Sequence, residues 1–233
     1  MTTFTTPAAT ATPAVRPVSR AGRVMPIAAA AALIAGPVLW SAGMFTSPPS
    51  ETMSDADYIG SLTRDLTMTQ VSALFLHYAN LTIGVGILAA PSLVRGLRGA
   101  WAVVIGALFT AVGFLNVSGM ILADWWNAAT GTLLTEEQAV AVFQHVKSAS
   151  LLPLWNGTEL FSMVGPLLVL GGLARAGVLG WWTMPIFVVG VVVMFAFGAS
   201  AAPMFAALGA LVAFSPFALI GGRILQRVRL GEL

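Results

Sequence analysis

A few polar side chains lie inside long apolar stretches of the sequence. His77 and Asn80 share one stretch. Asn116 lies within the next stretch and Asp124 at its end, and Glu159 lies in a later one. A polar side chain costs free energy in hydrocarbon, so it normally faces a bundle interior and has a partner. These residue types favour ligand binding, cation binding or proton movement.

Glu159 and His77 are the two residues best suited to proton transfer or to binding a cation or metal, and each has more than one possible role. A buried carboxyl has a raised pKa unless a cation or donors stabilise the anion. Glu159 would then exchange protons, bind a cation or pair with His77, or it would lock helix packing. His77 would act as a metal or haem ligand, as a proton relay or as a donor in packing.

The spacing of these residues puts them on common helical faces, because positions three and four apart are neighbours on a helix. The stripes are Gln70, Ala73, His77, Asn80 and Gly84; Gly113, Asn116 and Met120, with Asp124 one turn further; and Trp155, Glu159 and Ser162. At about 1.5 Å per residue, His77 and Glu159 lie roughly 10 and 12 Å below the outer ends of their helices. Stripes at similar depth predict one outward-opening pocket lined by His77, Asn80, Asn116, Asp124 and Glu159.

The composition requires a membrane setting for this pocket. The 233 residues are 58% hydrophobic and 9% charged, against about 25% charged in a soluble domain. A surface so poor in charge must face lipid, and the net charge of +2 does not indicate a nucleic-acid partner. The lipid bilayer is therefore the expected partner, together with a small ligand or cation and a possible protein partner in the membrane.

A spanning helix needs about 20 predominantly apolar residues, and charge-free runs of that kind predict an all-α bundle of six spans. The membrane domain covers residues 23–224. The spans are expected at about 25–45, 70–93, 100–122, 151–174, 178–198 and 203–222. Residues 1–22 are predicted to be a disordered cytoplasmic tail, 225–233 a short basic cytoplasmic tail, and 199–202 part of a tight turn.

The placement of basic residues predicts that both termini are cytoplasmic, because cytoplasmic segments of membrane proteins are rich in Arg and Lys. With that orientation only Arg64 and Lys147 lie in outer loops. The cytoplasmic segments then hold Arg16, Arg20, Arg23, Arg95, Arg98, Arg175, Arg223, Arg227 and Arg229. The organisation is that of small multi-span proteins of the bacterial cytoplasmic membrane.

Two alternatives concern the first span. Basic residues before a short apolar stretch and Ser41-Ala42-Gly43 are also typical of a cleaved signal peptide. The first span also shares a Gly-Pro motif, at Gly36-Pro37, with Gly165-Pro166 in the fourth, as an inverted three-plus-three repeat would.

The long connections, residues 46–69 and 123–150, are expected outside the membrane. The first predicts a short helix that starts near Ser54 and carries Ile59, Leu62 and Leu66 on one side. In the second, Thr135 followed three residues later by Gln138 is a capping-box signature. The resulting helix, with Glu137 and His145, would lie across the mouth of the pocket.

The sequence has no Gly-x-Ser-x-Gly nucleophile elbow, no His-Glu-x-x-His zinc motif, no phosphate-binding glycine loop and no dinucleotide-binding fingerprint, which favours a protein that is not an enzyme without deciding the question. The absence of cysteine excludes disulfides and thiolate metal sites. A metal site would have to draw on His77, His145 and Glu159, which have no local ligand spacing, and a bis-histidine haem would need both histidines. The sequence identifies no cofactor.

The leading functional hypothesis is ligand or cation binding, or proton-coupled transport, through the outward-facing pocket. A non-catalytic partner subunit or assembly factor of a membrane complex is the first alternative. A metal- or haem-dependent membrane enzyme is the second.

Overall fold

The computed structural model describes residues 20–52, 54–198 and 203–232, and the regular secondary structure of these residues is helical throughout. Five helical stretches are long and apolar enough to cross a membrane: Gly22–Thr46, Leu66–Leu93, Ala100–Leu133, Leu152–Arg175 and Pro203–Arg229. A further apolar helix, Thr183–Phe197, is shorter. The all-helical class is confirmed, and the helices are those of a multi-pass membrane protein.

The α-helices, in chain order, are α1 Arg20–Thr46, α2 Asp55–Arg64, α3 Leu66–Gly86, α4 Ala100–Met120, α5 Leu122–Leu133, α6 Glu136–Lys147, α7 Leu152–Gly157, α8 Phe161–Arg175, α9 Thr183–Gly198 and α10 Pro203–Arg229. Short 3-10 helices extend α3 at Ile87–Leu93 and join α7 to α8 at Thr158–Leu160.

The helix bounds differ from the sequence expectations at both ends of the chain. Helix α1 begins at Arg20, so residues 20–22 of the expected disordered tail are helical. Residues 1–19 and the expected turn at 199–202 lie outside the described residues. Helix α10 continues to Arg229 and so includes the first part of the expected basic tail.

The long helices form a bundle in which α1 packs against α3 and α10, α4 packs against α3 and α8, and α9 packs on α10. Phenylalanines from α4, α9 and α10 meet at its centre. The ring of Phe114 lies 5.7 Å from that of Phe214 and 6.0 Å from that of Phe217, both in edge-to-face contact. Edge-to-face pairs of this kind are favourable, so the interior is held by aromatic packing.

Glycines let α4 and α8 approach until their backbones touch. A methyl group placed on Gly106 would lie 2.6 Å from the backbone nitrogen of Val169 and 2.9 Å from the carbonyl oxygen of Gly165. Small residues at such a crossing are typical of helix pairs in membranes, where association depends on close van der Waals packing.

The helices α2, α5 and α6 form a cap over one end of the bundle, with α2 packed against both α5 and α6. The predicted helix near Ser54 is confirmed as α2, whose first turn is capped by the Ser54 hydroxyl. Ile59 and Leu62 are buried, whereas Leu66 belongs to α3 and is exposed. The predicted capping box is confirmed at α6, where both Thr135–Gln138 hydrogen bonds form.

Helix α5 is the element that the sequence reading did not anticipate. Asp124 and the adjacent Trp125 indicated the end of a span, but only the turn residue Ile121, whose backbone angles are right-handed helical, separates α4 from α5. The cap therefore rests directly on the end of α4, which fixes Asp124 relative to the bundle.

Candidate functional site

A cavity of about 590 Å³, called here the cap cavity, lies between the cap and the bundle. Its bundle wall is largely apolar and includes Trp40, Met44, Leu76, Met194 and Phe195. The cap contributes Tyr58, Ser61, Leu62, Asp124 and Phe143. Apolar walls with a small number of placed polar groups are typical of a small-molecule binding site.

Tyr58 and Asp124 provide the central polar contact of this cavity. The Tyr58 hydroxyl donates a hydrogen bond to Oδ1 of Asp124 at 2.5 Å, and the side chain of Asn127 reaches the same hydroxyl at 3.4 Å. Both residues are partly buried. The amphipathic helix α2 positions Tyr58, because its buried residues Ile59 and Leu62 fix which side of the helix faces inward.

Burial raises the pKa of Tyr58 well above its ordinary value, and the negative charge of Asp124 raises it further. The phenol therefore keeps its proton over the whole physiological range and acts as a donor. Oδ1 of Asp124 accepts this bond, so the other carboxyl oxygen is the acceptor that the cavity presents to a cation or to a hydrogen-bond donor.

Aromatic rings of Trp40, Tyr58 and Phe143 line the same cavity as this carboxyl group. The rings of Tyr58 and Phe143 lie 5.4 Å apart, and the ring of Trp40 lies 5.0 Å from that of Phe214, tilted by 39°. The indole N–H of Trp40 has no hydrogen-bond partner among the described residues. Aromatic faces attract cations, and the effect strengthens where water is displaced.

Hydroxyl groups hold the bundle side of the cavity together. The Ser47 and Ser72 hydroxyls lie 2.7 Å apart, and both lie within hydrogen-bond distance of the carbonyl oxygen of Gly43, so one donates to its neighbour and the other to that carbonyl. These bonds fix the end of α1 against the start of α3. The serines are thus occupied in local structure, and the acidic residues that line the cavity, among those the structure describes, are Asp55 and Asp124.

A charged contact joins the cap helices at the rim. The ammonium group of Lys147 on α6 lies 2.8 Å from Oδ1 of Asp55 on α2, and Gln144 donates to the other carboxylate oxygen at 3.4 Å. This hydrogen bond from Lys147 holds the pKa of Asp55 below its usual range. Lys147 also lies 5.1 Å from the ring centre of Phe143. We call this contact the rim ion pair.

The loop before α2 is ordered by a second acid. The backbone N–H of Thr52 and the hydroxyl of Ser50 both donate to Asp57, and Arg64 lies 3.1 Å from it. The Thr52 hydrogen bond is the main reason that the pKa of Asp57 is lowered. Asp57 therefore supports the wall of the cavity and is not itself free for a ligand.

A second opening lies on the other side of the same contact. This side cleft has a volume of about 680 Å³ and shares Tyr58, Asp124 and Phe143 with the cap cavity. Trp126 and Trp155, both largely exposed, contribute to its walls. The Tyr58–Asp124 pair thus borders both the cap cavity and the side cleft, and the side cleft opens beside the exposed rings of Trp126 and Trp155.

No protein-family model, curated protein or solved structure matches the chain. Inference about function therefore depends on the geometry of this chain alone.

The structure separates the residues that the sequence placed in one pocket. Asp124 lines the cap cavity. His77 contacts Ser118 between α3 and α4, with Nδ1 2.8 Å from the hydroxyl oxygen. Asn80 is fully buried, and its amide donates to the carbonyl oxygen of Leu76. Asn116 donates to the carbonyl oxygen of Trp155 at 3.3 Å.

Glu159 does not join these residues. Its side chain is exposed and lines neither cleft. The expected stripe of Trp155, Glu159 and Ser162 assumed one continuous α-helix, but Thr158–Leu160 is a 3-10 helix with three residues per turn. The change of phase buries Ser162 and turns Glu159 outward.

The candidate metal ligands also lie apart. His77 is in the bundle, His145 is exposed on α6 with Glu137, and Glu159 is on the 3-10 helix. In the part of the chain that the structure describes, no group of three or more His, Cys, Asp or Glu side chains comes together. The two alternative functions, a metal- or haem-dependent enzyme and a partner subunit or assembly factor, stay predictions.

Tyr58 is the site residue that the sequence reading missed. It lies 66 positions from Asp124, so no local spacing links the two. The available signal was indirect: α2 was expected to be amphipathic, and Tyr58 is one of only two tyrosines.

Proposed function

We propose that the chain is a six-span protein of the bacterial cytoplasmic membrane, with both termini cytoplasmic and the cap outside, and that the cap cavity binds a small apolar organic cation. Asp124 would supply the counter-charge, and Trp40, Tyr58 and Phe143 would supply aromatic faces. The observation that carries this proposal is the partly buried carboxylate of Asp124, held by Tyr58 in a largely apolar and aromatic cavity.

The charge of the wall favours a cation over an anion. Asp55 already has Lys147 as its partner, and Asp57 has Arg64. Asp124 has a neutral donor only, so a ligand cation would be its first charged partner among the described residues. An organic cation also suits the apolar wall, because its hydrocarbon part gains from burial.

Binding is favoured over passage through the membrane. Beneath the cavity the interior is a cluster of buried apolar side chains that includes Leu33, Ile83, Phe114 and Phe214. A charged group at the centre of a membrane protein needs polar partners or a water-filled route. The arrangement therefore supports a receptor, sensor or binding subunit better than a transporter.

The binding test compares two ligands of matched shape. Benzyltrimethylammonium and its neutral isostere neopentylbenzene are titrated into the detergent-purified protein, and tryptophan fluorescence is recorded. We expect saturable binding of the cation and a Kd at least about tenfold weaker for the neutral isostere or for Asp124→Asn, as loss of one charged contact implies.

The matched control is Glu137→Gln, which removes an exposed acid of the cap outside the cavity. It should bind like the wild type. Equal affinity for the cation and its isostere, or equal weakening in Glu137→Gln and Asp124→Asn, would rule out Asp124 as the counter-charge.

The orientation has its own test, because the chain contains no cysteine. Single cysteines at the exposed positions Thr52, Gln138, Leu97 and Glu232 report on opposite ends of the bundle. A membrane-impermeant maleimide should label Thr52→Cys and Gln138→Cys on intact cells. It should label Leu97→Cys and Glu232→Cys only after permeabilisation; the reverse pattern would invert the topology.

A further inference from the structure

A second pocket lies at the end of the bundle opposite the cap, and it is lined by arginines. We call it the arginine pocket; its volume is about 290 Å³. Arg95, after the 3-10 extension of α3, and Arg223 and Arg227, on the last turns of α10, contribute the charge. Gly177 and Val178, in the turn after α8, complete it. A concave surface with several guanidinium groups is suited to an anion.

A carboxylate of the same chain already lies among these arginines. Oε2 of Glu232 is 2.7 Å from Nη2 of Arg95 and 3.8 Å from Nε of Arg227. The chain turns back after α10 at Gly231, whose φ is +70°, and the backbone N–H of Glu232 donates to the carbonyl oxygen of Arg227. The turn thus delivers an acidic side chain into the pocket.

The arginines are unequally fixed. Arg227 also donates to the carbonyl oxygen of Ser92 at 3.3 Å, and its side chain is 20% exposed. Arg95 is 63% exposed, and its ion-pair partner among the described residues is Glu232. Among the described residues that line the pocket there are three arginines and one carboxylate; Glu232 contacts Arg95 and Arg227, and Arg223 donates to Gln226. The lining therefore has a net positive charge, and an oxyanion that accepts from two arginines at once would be bound more strongly than a single carboxylate.

Residues typical of the membrane–water interface lie beside the pocket, and in the orientation proposed above this end of the bundle is cytoplasmic. The turn that supplies Val178 continues into Trp181 and Trp182, which are both exposed. Exposed tryptophans next to apolar helices are typical of the membrane–water interface. Basic pockets between helices on the cytoplasmic side are a recurrent means of holding anionic lipid headgroups.

We propose that the arginine pocket binds the phosphate of an anionic lipid headgroup, and that the Glu232 carboxylate occupies part of that site as an internal competitor. Arg227 and Arg95 bind the phosphate oxygens, and Arg223 adds charge. The proposal is independent of the cap cavity, because the two sites lie at opposite ends of the bundle and share no residue.

The test titrates detergent-purified full-length protein with short-chain phosphatidic acid and, separately, with inorganic phosphate, and native mass spectrometry counts the bound species. Wild type should bind the lipid. Arg95→Gln and Arg227→Gln should each bind it about tenfold more weakly, as the loss of one charge-assisted contact implies. Glu232→Gln should bind it several-fold more tightly, because the internal competitor is neutralised.

Arg98→Gln and Arg229→Gln serve as matched controls, since both arginines are exposed and neither lines the pocket. They should bind the lipid like the wild type. Uniform weakening across all four arginine variants would reduce the effect to general attraction between basic protein and acidic lipid, and would overturn the proposal. Unchanged affinity in Glu232→Gln would remove the competitor role. Inorganic phosphate that binds as tightly as the lipid would overturn the headgroup assignment.

Discussion

The hydroxyl of Tyr58 and the carboxylate of Asp124 form a 2.5 Å hydrogen bond between two helices of the cap, although they lie 66 positions apart in the chain. Tyr58 comes from α2 and Asp124 from the first turn of α5, which continues the spanning helix α4. The bond therefore ties the cap to the bundle at the border between the cap cavity and the side cleft. Structure and proposed function depend on the same contact.

Replacing Tyr58 by Phe should destabilise the protein while preserving its ring packing. The substitution leaves the partly buried carboxylate of Asp124 without its main donor, and an unsatisfied group of this kind costs about 1–3 kcal/mol. We expect a lower thermal midpoint in detergent, recorded by intrinsic fluorescence. Tyr78→Phe is the matched control, because Tyr78 is exposed and lies outside both clefts.

A double-substitution cycle separates this bond from general damage. In Asp124→Ala the acceptor is already gone, so the additional effect of Tyr58→Phe should shrink well below its effect in the wild type. Fully additive effects would mean that the two side chains do not stabilise each other.

The rim ion pair between Asp55 and Lys147 predicts a dependence on pH. The pKa of Asp55 is lower in the folded protein than its ordinary value of about 3.9, so the pair stabilises the fold fully above that value. The stabilisation is lost as the pH falls through the lowered pKa. Thermal midpoints of wild type and Asp55→Asn should therefore differ by a constant amount at neutral pH and converge in acid.

Both partners are partly exposed, so the difference should be small and should decrease with salt. Lys147→Gln should reproduce the behaviour of Asp55→Asn. A difference that grows on acidification would contradict the ion pair.

The contact between α4 and α8 predicts sharply different outcomes for two glycines of the same helix. Gly106→Ala would place a methyl group 2.6 Å from the backbone nitrogen of Val169, so the helices would have to separate. We expect a loss of stability of about 1–3 kcal/mol, the usual cost of overpacking. Gly119→Ala meets nothing within 4 Å and should be neutral or slightly stabilising.

Equilibrium unfolding in mixed micelles measures both variants. If Gly106→Ala proved as stable as Gly119→Ala, the close crossing of α4 and α8 would be incorrect.

Local patterns predicted those parts of the fold that depend on local physics. Apolar runs of sufficient length gave the five long helical stretches, and the Thr135–Gln138 spacing gave the capped start of α6. Both signals act within a few residues, because backbone hydrogen bonding and capping join near neighbours. The sixth span and the orientation stay predictions.

The candidate site was less accessible from sequence because it depends on tertiary contacts and on helix phase. Asp124 was anticipated from its position at the end of an apolar run, but its partner Tyr58 comes from a distant loop helix. The predicted stripe of Trp155, Glu159 and Ser162 also assumed an uninterrupted α-helix. The short 3-10 segment at Thr158–Leu160 turns Glu159 away from Ser162. This change in helical pitch accounts for Glu159, whereas His77, Asn80 and Asn116 are engaged in hydrogen bonds of the bundle helices.

His77 allows a final distinction between a structural and a functional histidine. Its Nδ1 lies 2.8 Å from the hydroxyl of Ser118, so it links α3 to α4, and it lines neither the cap cavity nor the side cleft. Hydrogen bonds between membrane helices contribute about 0.6 kcal/mol on average. Ser118→Ala should therefore lower the free energy of unfolding by about that amount, and His77→Ala should also lose the packing of its ring against Tyr78.

Neither variant should change the affinity for the organic cation, measured by the same fluorescence titration as for Asp124→Asn. A loss of cation binding in folded His77→Ala protein, with Ser118→Ala unaffected, would instead make His77 a ligand-binding residue and would return the site to the bundle interior.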